Sequence, residues 1–375
     1  MGNTNLVIDS SIEAKVKSNL YDLMCKDVVL ASFEMRDNSI CDISLIAGRN
    51  HLLPKQLINF NIYSLTNWLR SRRLDTTRSN ARLILKLMKI GTASDIAAVI
   101  FNKALSLTDC YWVRKYNSNE TYESASLYLR DTVDSIAVTS LSGVLHDLPK
   151  ITNPEITNIG SFNKAWKKVD GSWWLFKAGS DSNNYAEMFT YYLGKSLDMR
   201  MAEYRVINGY VCTKNFTNES IMLEHYASLM YMFNERDYDD EITLANLKCL
   251  DIGEAYCDIL LLDAIVCNPD RHEFNVGVLR DTNTGSIVSM APNFDNNLAL
   301  GSATQNNKPS DFLLKCYLRE IGIQQHQKKY LERLTIDLIK EIDLRVKGEL
   351  NMTLDTNEIL AYLTDIIMAL NNKEV

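Results

Sequence analysis

The sequence contains little glycine and proline, with 15 and 6 residues respectively out of 375. That scarcity excludes collagen-like and linker-like architectures and argues against disorder. No stretch approaches eighteen uninterrupted apolar residues, so we expect no membrane-spanning helix. A chain of this length can bury a large core and is expected to divide into two or three domains.

The sequence also lacks the cysteine and histidine spacing of a zinc site, because the eight cysteines form no CxxC pair and the five histidines lie far apart. Scattered thiols are typical of a reduced protein, and the N-terminus lacks the basic start and apolar core of a signal peptide. We therefore expect a cytoplasmic location. The net charge of −7 argues against general polyanion binding, so no direct nucleic-acid contact is predicted.

One segment departs from this acidic balance. Residues 70–89 carry one acidic side chain, Asp75, against seven cations: Arg70, Arg72, Arg73, Arg78, Arg82, Lys86 and Lys89. Apolar residues recur here at helical spacing, which predicts a helix from about Thr76. Such a segment is either a solvated helix face or a contact surface for nucleic acid or an acidic partner.

The N-terminal part of the chain reads as short strands before this basic segment. Residues 27–34 and 40–46 are strand-like and flank a plausible hairpin turn at 36–39. Two prolines later punctuate residues 148–154, and we place a domain boundary there.

Beyond that boundary the pattern changes to a small β-rich unit followed by helices. Two strands meet at Asp170-Gly171, a strong turn signal, and a helical pattern follows over 184–197. Residues 204–212 are strand-like, and helices dominate from Leu250 onward. We predict an α+β fold with three parts: an N-terminal region over 1–147, a β-rich lobe over 148–213 and a helical lobe over 214–375.

The most informative stretch is CNPDRHEFNVGVLRDTNTGSIVSMAPNFDNN, residues 267–297. It begins where an apolar helix is predicted to end. A hairpin over 276–291 then brings its own two ends together, which returns Asp295 to the neighbourhood of Asn275. The oxygen-bearing side chains of Asp270, Asn275 and Asp295 should therefore lie close together at the open end of this hairpin.

Three such side chains suit magnesium and phosphate chemistry. Mg²⁺ takes one or two protein carboxylates together with amide, water and phosphate oxygens. An aspartate left off the metal can orient or deprotonate an attacking hydroxyl. An aspartate followed by an asparagine five residues later is also the spacing of the kinase catalytic loop. Taken separately, each of the three could equally be a cap or turn residue.

Two partner features lie upstream. Lys177 ends a predicted strand, and Glu187 follows ten residues later on the next helix. A lysine at the phosphates, held by a helix carboxylate, is a recurring arrangement for phosphoryl transfer, although such a pair alone is more often a surface ion pair. Residues 158–163 contain one glycine and could cover phosphates through backbone N–H groups.

Together these stretches resemble the HipA-like serine/threonine kinases of bacteria. The resemblance rests on NPDRHEFNVGVLRDTNTG, the later APNFD, PEITNIGSFNKAWKKVDGSWWLFKAGS and YAEMFTYYLGKSL, and on RSRRLDTTRSNARLILKLM in the N-terminal part. It implies a two-lobed protein-kinase-like fold with an N-terminal accessory domain. It also implies an ATP- and Mg²⁺-dependent kinase, of a type often found as the toxin of a toxin–antitoxin system.

The resemblance also assigns roles by position. Asp270 would be the catalytic base, and Asn275 and Asp295 would be the Mg²⁺ ligands. Lys177 would hold the phosphates and Glu187 would orient Lys177.

Further ATP-binding positions follow from the same resemblance. The loop Asn158, Ile159, Gly160 and Ser161 would cover the phosphates, and Ser161 is a candidate for autophosphorylation or else a turn residue. Val211, Cys212 and Thr213 would form the interlobe hinge, with backbone hydrogen bonds to adenine. His272 would lie beside the catalytic loop in a structural role, and Arg271 is expected to pair with a nearby carboxylate.

The implied partners are a protein substrate with a serine or threonine, such as a translation component, and a helix-turn-helix antitoxin contacting 70–89. Two departures from the family pattern stand at Asn297 and Ala299, where a glycine and a serine are usual. Asparagine tolerates unusual backbone angles, so the turn can persist. The alternatives are a pseudokinase or nucleotide-binding interaction module, and a lipid or small-molecule kinase.

Overall fold

The computed structural model describes residues 19–73, 95–129, 164–301, 330 and 332–372. They belong to two compact units. The first unit holds the described residues up to 129 together with Thr217–Met222 and Arg280–Ser286, and the remaining residues form the second. The predicted boundary at 147/148 lies outside the described residues.

The first unit is built on a four-stranded antiparallel sheet with the order β3-β2-β1-β4. The predicted hairpin is confirmed, since β2 and β3 pair around Asp37 and Asn38, whose φ angles are 48° and 63°. The elements of this unit are β1 (Leu20–Cys25), β2 (Val28–Arg36), β3 (Ser39–Leu45), α1 (Ile62–Ser71), α2 (Asp95–Phe101), β4 (Tyr111–Lys115) and the single turn α3 (Tyr122–Ala125). The helix predicted from Thr76 lies outside the described residues.

One cation of the basic segment is part of the interior of this unit. The Arg72 guanidinium forms a bidentate ion pair with Asp109, at 2.8 and 2.9 Å, and both residues are buried. Arg72 therefore belongs neither to a solvated face nor to a contact surface, because charge counting does not reveal a buried partner. Arg70 and Arg73 are exposed, and the other four lie outside the described residues.

The tip of the hairpin formed by β10 (Gly277–Asp281) and β11 (Ile287–Met290) belongs to the first unit. Arg280 is fully buried there and donates hydrogen bonds to the carbonyl oxygens of His51, at 2.9 Å, and Leu53, at 3.1 Å. Gly285 has a φ of 69°, and a Cβ at this position would overlap the carbonyl oxygen of His51. The positive φ and the lack of room for a Cβ together explain why a glycine stands in this turn.

The second unit begins with a small antiparallel sheet of order β5-β6-β8-β7. Its strands are β5 (Lys164–Val169), β6 (Ser172–Lys177), β7 (Tyr204–Ile207) and β8 (Tyr210–Lys214). The turns Asp170-Gly171 and Asn208-Gly209 have positive φ at both residues, as two-residue hairpin loops require. The predicted turn at Asp170-Gly171 is confirmed.

Helix α4 (Asp181–Ser196) packs beside this sheet, close to the predicted span 184–197. The Ser180 side chain accepts the Asn183 N–H and so caps its first turn. Strand β9 (Ile221–His225) then pairs with the β10–β11 hairpin in a sheet of order β11-β10-β9.

The other helices of the second unit are α5 (Tyr226–Phe233), α6 (Asp240–Cys249), α7 (Gly253–Val266), α8 (Ile336–Leu350) and α9 (Asn357–Asn372). Helix α7 is buried along most of its length and ends at Cys267, whose φ is 47°. The predicted α+β architecture, a small β-rich lobe followed by helices, is confirmed. Among the described helices, none combines the length and the apolar character that crossing a membrane demands.

Gly285 provides a test of the first unit. An alanine at positive φ costs roughly 1–2 kcal/mol, and at Gly285 its Cβ would also overlap a backbone oxygen. Gly48 in the same unit is the matched control, because its φ is 79° and nothing lies within 4 Å of an added Cβ. We expect Gly285→Ala to lower the free energy of unfolding by clearly more than Gly48→Ala in urea titrations followed by circular dichroism. Equal losses would contradict the close packing of this turn.

Candidate active site

Lys177, at the end of β6, contacts the carboxylates of two other residues. Its Nζ lies 2.7 and 2.9 Å from the two carboxylate oxygens of Glu187, which projects from α4. The same atom lies 2.9 Å from Oδ1 of Asp295. Lys177 is 8% and Glu187 2% exposed, so this contact is largely shielded from water. The structure thus brings together three of the residues singled out in the sequence.

Charge interactions keep the Lys177 and Asp295 side chains ionised. Burial by itself would lower the pKa of Lys177, but the charges of Asp295 and Glu187 outweigh it and hold that pKa well above its usual value. For Asp295, burial would raise the pKa, yet Lys177 outweighs it and the pKa lies well below the ordinary range. Lys177 is therefore a cation and Asp295 an anion at neutral pH.

Asp270 and Asn275 share one compact loop after α7. The Asp270 N–H donates to Oδ1 of Asn268, at 3.1 Å, and Nδ2 of Asn275 donates to the Asp270 carbonyl, at 2.9 Å. His272 makes two hydrogen bonds within this loop, since its carbonyl accepts the Asn275 N–H and its Nδ1 accepts the Phe274 N–H. Burial raises the pKa of Asp270, with His272 opposing and Asp295 adding to that shift.

Arg271 is paired with a carboxylate, as expected, and the partner is Asp263 on α7. Its guanidinium reaches the two oxygens of Asp263 at 2.7 and 2.9 Å, and both side chains are buried. Sequence reasoning did not single out Asp263. A signal existed, because an aspartate within the apolar run ILLLDAIV must find a partner when that run is buried.

The same guanidinium joins the loop of Asp270 and Asn275 to the segment that carries Asp295. It donates to four further oxygens at 2.8 to 3.1 Å, which belong to the carbonyls of Asn275 and Phe294 and the side chains of Asn293 and Asn296. Loop and segment are consequently fixed relative to each other by one side chain.

Asp295 has a φ of 61°, in the left-handed region, and its N–H donates to the Tyr204 hydroxyl at 3.0 Å. The next N–H, of Asn296, donates to Oε1 of Glu187 at 3.3 Å. Sequence reasoning missed Tyr204, because nothing in its strand-like surroundings distinguishes it from a packing residue.

The predicted hinge is wrong in its position. Val211, Cys212 and Thr213 lie within β8, which pairs with β6 on one side and β7 on the other, so their backbone groups face neighbouring strands. The chain leaves this sheet only after Lys214 and continues into β9.

Two other expectations have different outcomes. The loop Asn158, Ile159, Gly160 and Ser161 lies outside the described residues. In the segment after Asp295, positive φ falls on Asp295 and Leu300, and the Asn297 carbonyl accepts a hydrogen bond from Nδ2 of Asn183 at 2.8 Å. The segment with Asn297 and Ala299 thus keeps an ordered connection to α4.

No protein-family model matches the sequence, and no curated protein matches it. Solved structures do. HipA of Shewanella oneidensis MR-1, solved in a toxin–antitoxin complex with HipB and operator DNA, matches with a TM-score of 0.61 and 12% identity, covering 94% of this chain and 97% of that one. The proinflammatory kinase CtkA of Helicobacter pylori matches with a TM-score of 0.41 and 16% identity, covering 56% of this chain and 90% of that one. The chain therefore has the fold of HipA, as the resemblance implied.

The Arg271–Asp263 pair yields a stability prediction. Arg271→Met leaves a buried carboxylate without its cation, which typically costs about 3–5 kcal/mol of folding free energy. Arg205→Met is the matched control, because Arg205 is 61% exposed in its pair with Glu203 and such pairs contribute about 1 kcal/mol or less. Urea unfolding of both variants measures the difference. If Arg271→Met lowers the free energy of unfolding no more than the control does, the buried pair is not a major contributor to stability.

Proposed function

We propose that this chain is an ATP- and Mg²⁺-dependent protein kinase of the HipA-like type, acting on serine or threonine hydroxyls. The observation that carries the proposal is the buried contact of Lys177 with Glu187 and Asp295, beside a loop that presents Asp270 and Asn275. The HipA fold supports it.

The donor set fits a magnesium–nucleotide complex. Asn275 uses Nδ2 on the Asp270 carbonyl, which leaves its amide oxygen as the ligand atom, and Asp295 supplies a carboxylate of lowered pKa. Within the described residues no three histidine, cysteine, aspartate or glutamate side chains group as a metal site. Mg²⁺ does not need such a group, since it takes one or two protein ligands and completes its shell with water and phosphate oxygens.

The residues divide the work as follows. Bound Mg·ATP supplies the transferable phosphoryl group and neutralises its charge. Lys177 binds the phosphates, held in place by Glu187. Asp270 orients the attacking hydroxyl and accepts its proton, a task suited to a carboxylate whose pKa is raised by burial.

In this proposal the backbone of residues 223–225 contacts the adenine. They lie in β9, an edge strand of the sheet β11-β10-β9, directly after the chain has left the small sheet. An edge strand can offer backbone donors and acceptors to a ligand.

A toxin role in the cytoplasm, with an antitoxin partner and a protein substrate such as a translation component, is part of the proposal. The matched HipA was solved together with HipB and operator DNA, which supports a partner of that kind. Arg70 and Arg73 are exposed and remain candidates for contacting it, whereas Arg72 is committed to Asp109.

Asp270→Asn tests the chemistry. We expect it to abolish phosphoryl transfer and to leave nucleotide affinity nearly unchanged, because the amide keeps the shape of the side chain but cannot accept the proton. Intact-mass analysis after incubation with Mg·ATP should show added phosphate in the wild type only, and peptide mapping would decide whether Ser161 carries it.

The control for that experiment is Asp251→Asn. Asp251 is exposed and has a φ of 58°, which asparagine adopts readily, so this variant should behave as the wild type. Phosphoryl transfer retained by Asp270→Asn would eliminate Asp270 as the base. If the wild type binds nucleotide but transfers phosphate neither to itself nor to any protein substrate, the result would instead favour a nucleotide-binding module.

Asp295→Asn tests the metal site. Removing the charged ligand should weaken nucleotide affinity in the presence of Mg²⁺ by at least about tenfold, equivalent to about 1.4 kcal/mol. Affinity without the metal should change far less. Isothermal titration calorimetry with and without Mg²⁺ separates the two, and an unchanged Mg²⁺ dependence would remove Asp295 from the site.

A further inference from the structure

Tyr204 occupies the junction between the ion cluster and the Asp295 segment. It opens strand β7 and is 2% exposed. Its hydroxyl accepts the Asp295 N–H at 3.0 Å. Its ring centroid lies 5.7 Å from Nζ of Lys177. One hydroxyl thus holds a main-chain donor of the segment beside the ion cluster.

The Tyr204 hydroxyl oxygen is the acceptor for the Asp295 N–H, and the buried side chain shields this bond from water. A phenylalanine would keep the ring and lose that hydrogen bond.

The conformation of Asp295 needs such support. A non-glycine residue in the left-handed region is disfavoured by roughly 1–2 kcal/mol and persists where surrounding contacts impose it. Here the N–H groups of Asp295 and Asn296 are held in succession by Tyr204 and Glu187. These two bonds set the direction of the chain where the Asp295 carboxylate leaves it.

Helix α4 contacts the same segment a second time. Asn183, one turn before Glu187, donates from Nδ2 to the Asn297 carbonyl at 2.8 Å. Helix α4 and the segment that carries Asp295 are thus connected at two points, Glu187 to the Asn296 N–H and Asn183 to the Asn297 carbonyl.

We propose that Tyr204 is a positioning residue, whose hydroxyl holds the Asp295 backbone so that the carboxylate faces the metal site. The inference rests on the proposed function, since it takes Asp295 to be a Mg²⁺ ligand. It adds that metal binding depends on a side chain that touches neither metal nor nucleotide.

The experiment compares Tyr204→Phe with Tyr192→Phe in the full chain. Tyr192 is the matched control, because its hydroxyl is also hydrogen-bonded, to Glu349, but on the exposed side of α4. Calorimetric titration with ATP, with and without Mg²⁺, should show the Mg²⁺-dependent part of the affinity falling about tenfold in Tyr204→Phe. Affinity without metal should stay unchanged, and Tyr192→Phe should match the wild type in both titrations.

Hydrogen exchange supplies a second readout that requires no ligand. The Asp295 amide should be protected in the wild type and should exchange faster in Tyr204→Phe. If the wild-type amide exchanges like that of an open loop, the inference is overturned even should the variant fail to fold.

The outcomes separate the two claims. Wild-type protein that binds no nucleotide refutes the proposed function. Wild-type protein that binds Mg·ATP, with equal affinity in Tyr204→Phe, refutes only the inference. An equal loss with and without Mg²⁺ would show a merely structural role and would likewise overturn it.

Discussion

The bidentate ion pair between Arg271 and Asp263 is the contact on which the site depends. Asp263 lies in the buried helix α7, where a lone carboxylate would be strongly disfavoured, so the helix can pack only with the guanidinium in place. The planar guanidinium then has donors left for the carbonyls of Asn275 and Phe294. Core packing and site geometry consequently depend on one side chain, which neutralises Asp263 in α7 and also holds the loop of Asp270 and Asn275 and the segment of Asp295.

The second constraint is charge neutralisation around Lys177. Its ammonium group, nearly out of reach of water, is compensated by two carboxylates from different elements, one on α4 and one after the β10–β11 hairpin. Removing either carboxylate would leave a shielded cation with one partner, so the cluster ties sheet, helix and segment together. A phosphate group arriving at this lysine would enter a region where electrostatic contacts are stronger than in water. Beside this cluster the Tyr204 hydroxyl accepts the Asp295 N–H without adding charge.

Sequence reasoning succeeded where the cause is local and failed where it is not. Asp170-Gly171 was predicted as a turn because few residue pairs accept positive φ at both positions, a property of those two residues alone. The hinge was placed at 211–213 by its position in the resemblance, and nothing in β8 itself indicates that this strand lies between two others. Arg72 was counted as a surface cation because its partner, Asp109, lies 37 residues further along the chain.

The sequence by itself determined the turn at Asp170-Gly171 and the spacing that puts Asp270 and Asn275 in one loop, since these follow from backbone preferences over a few residues. It also indicated that a hairpin would return Asp295 towards Asn275. Only the tertiary structure decided that Asp295 reaches Lys177, that Tyr204 holds its backbone, and that Asp263 neutralises Arg271. The first two contacts join residues 118 and 91 positions apart, and the third depends on how a helix is buried. Such pairings are set by packing and by the neutralisation of buried charge, which no local pattern encodes.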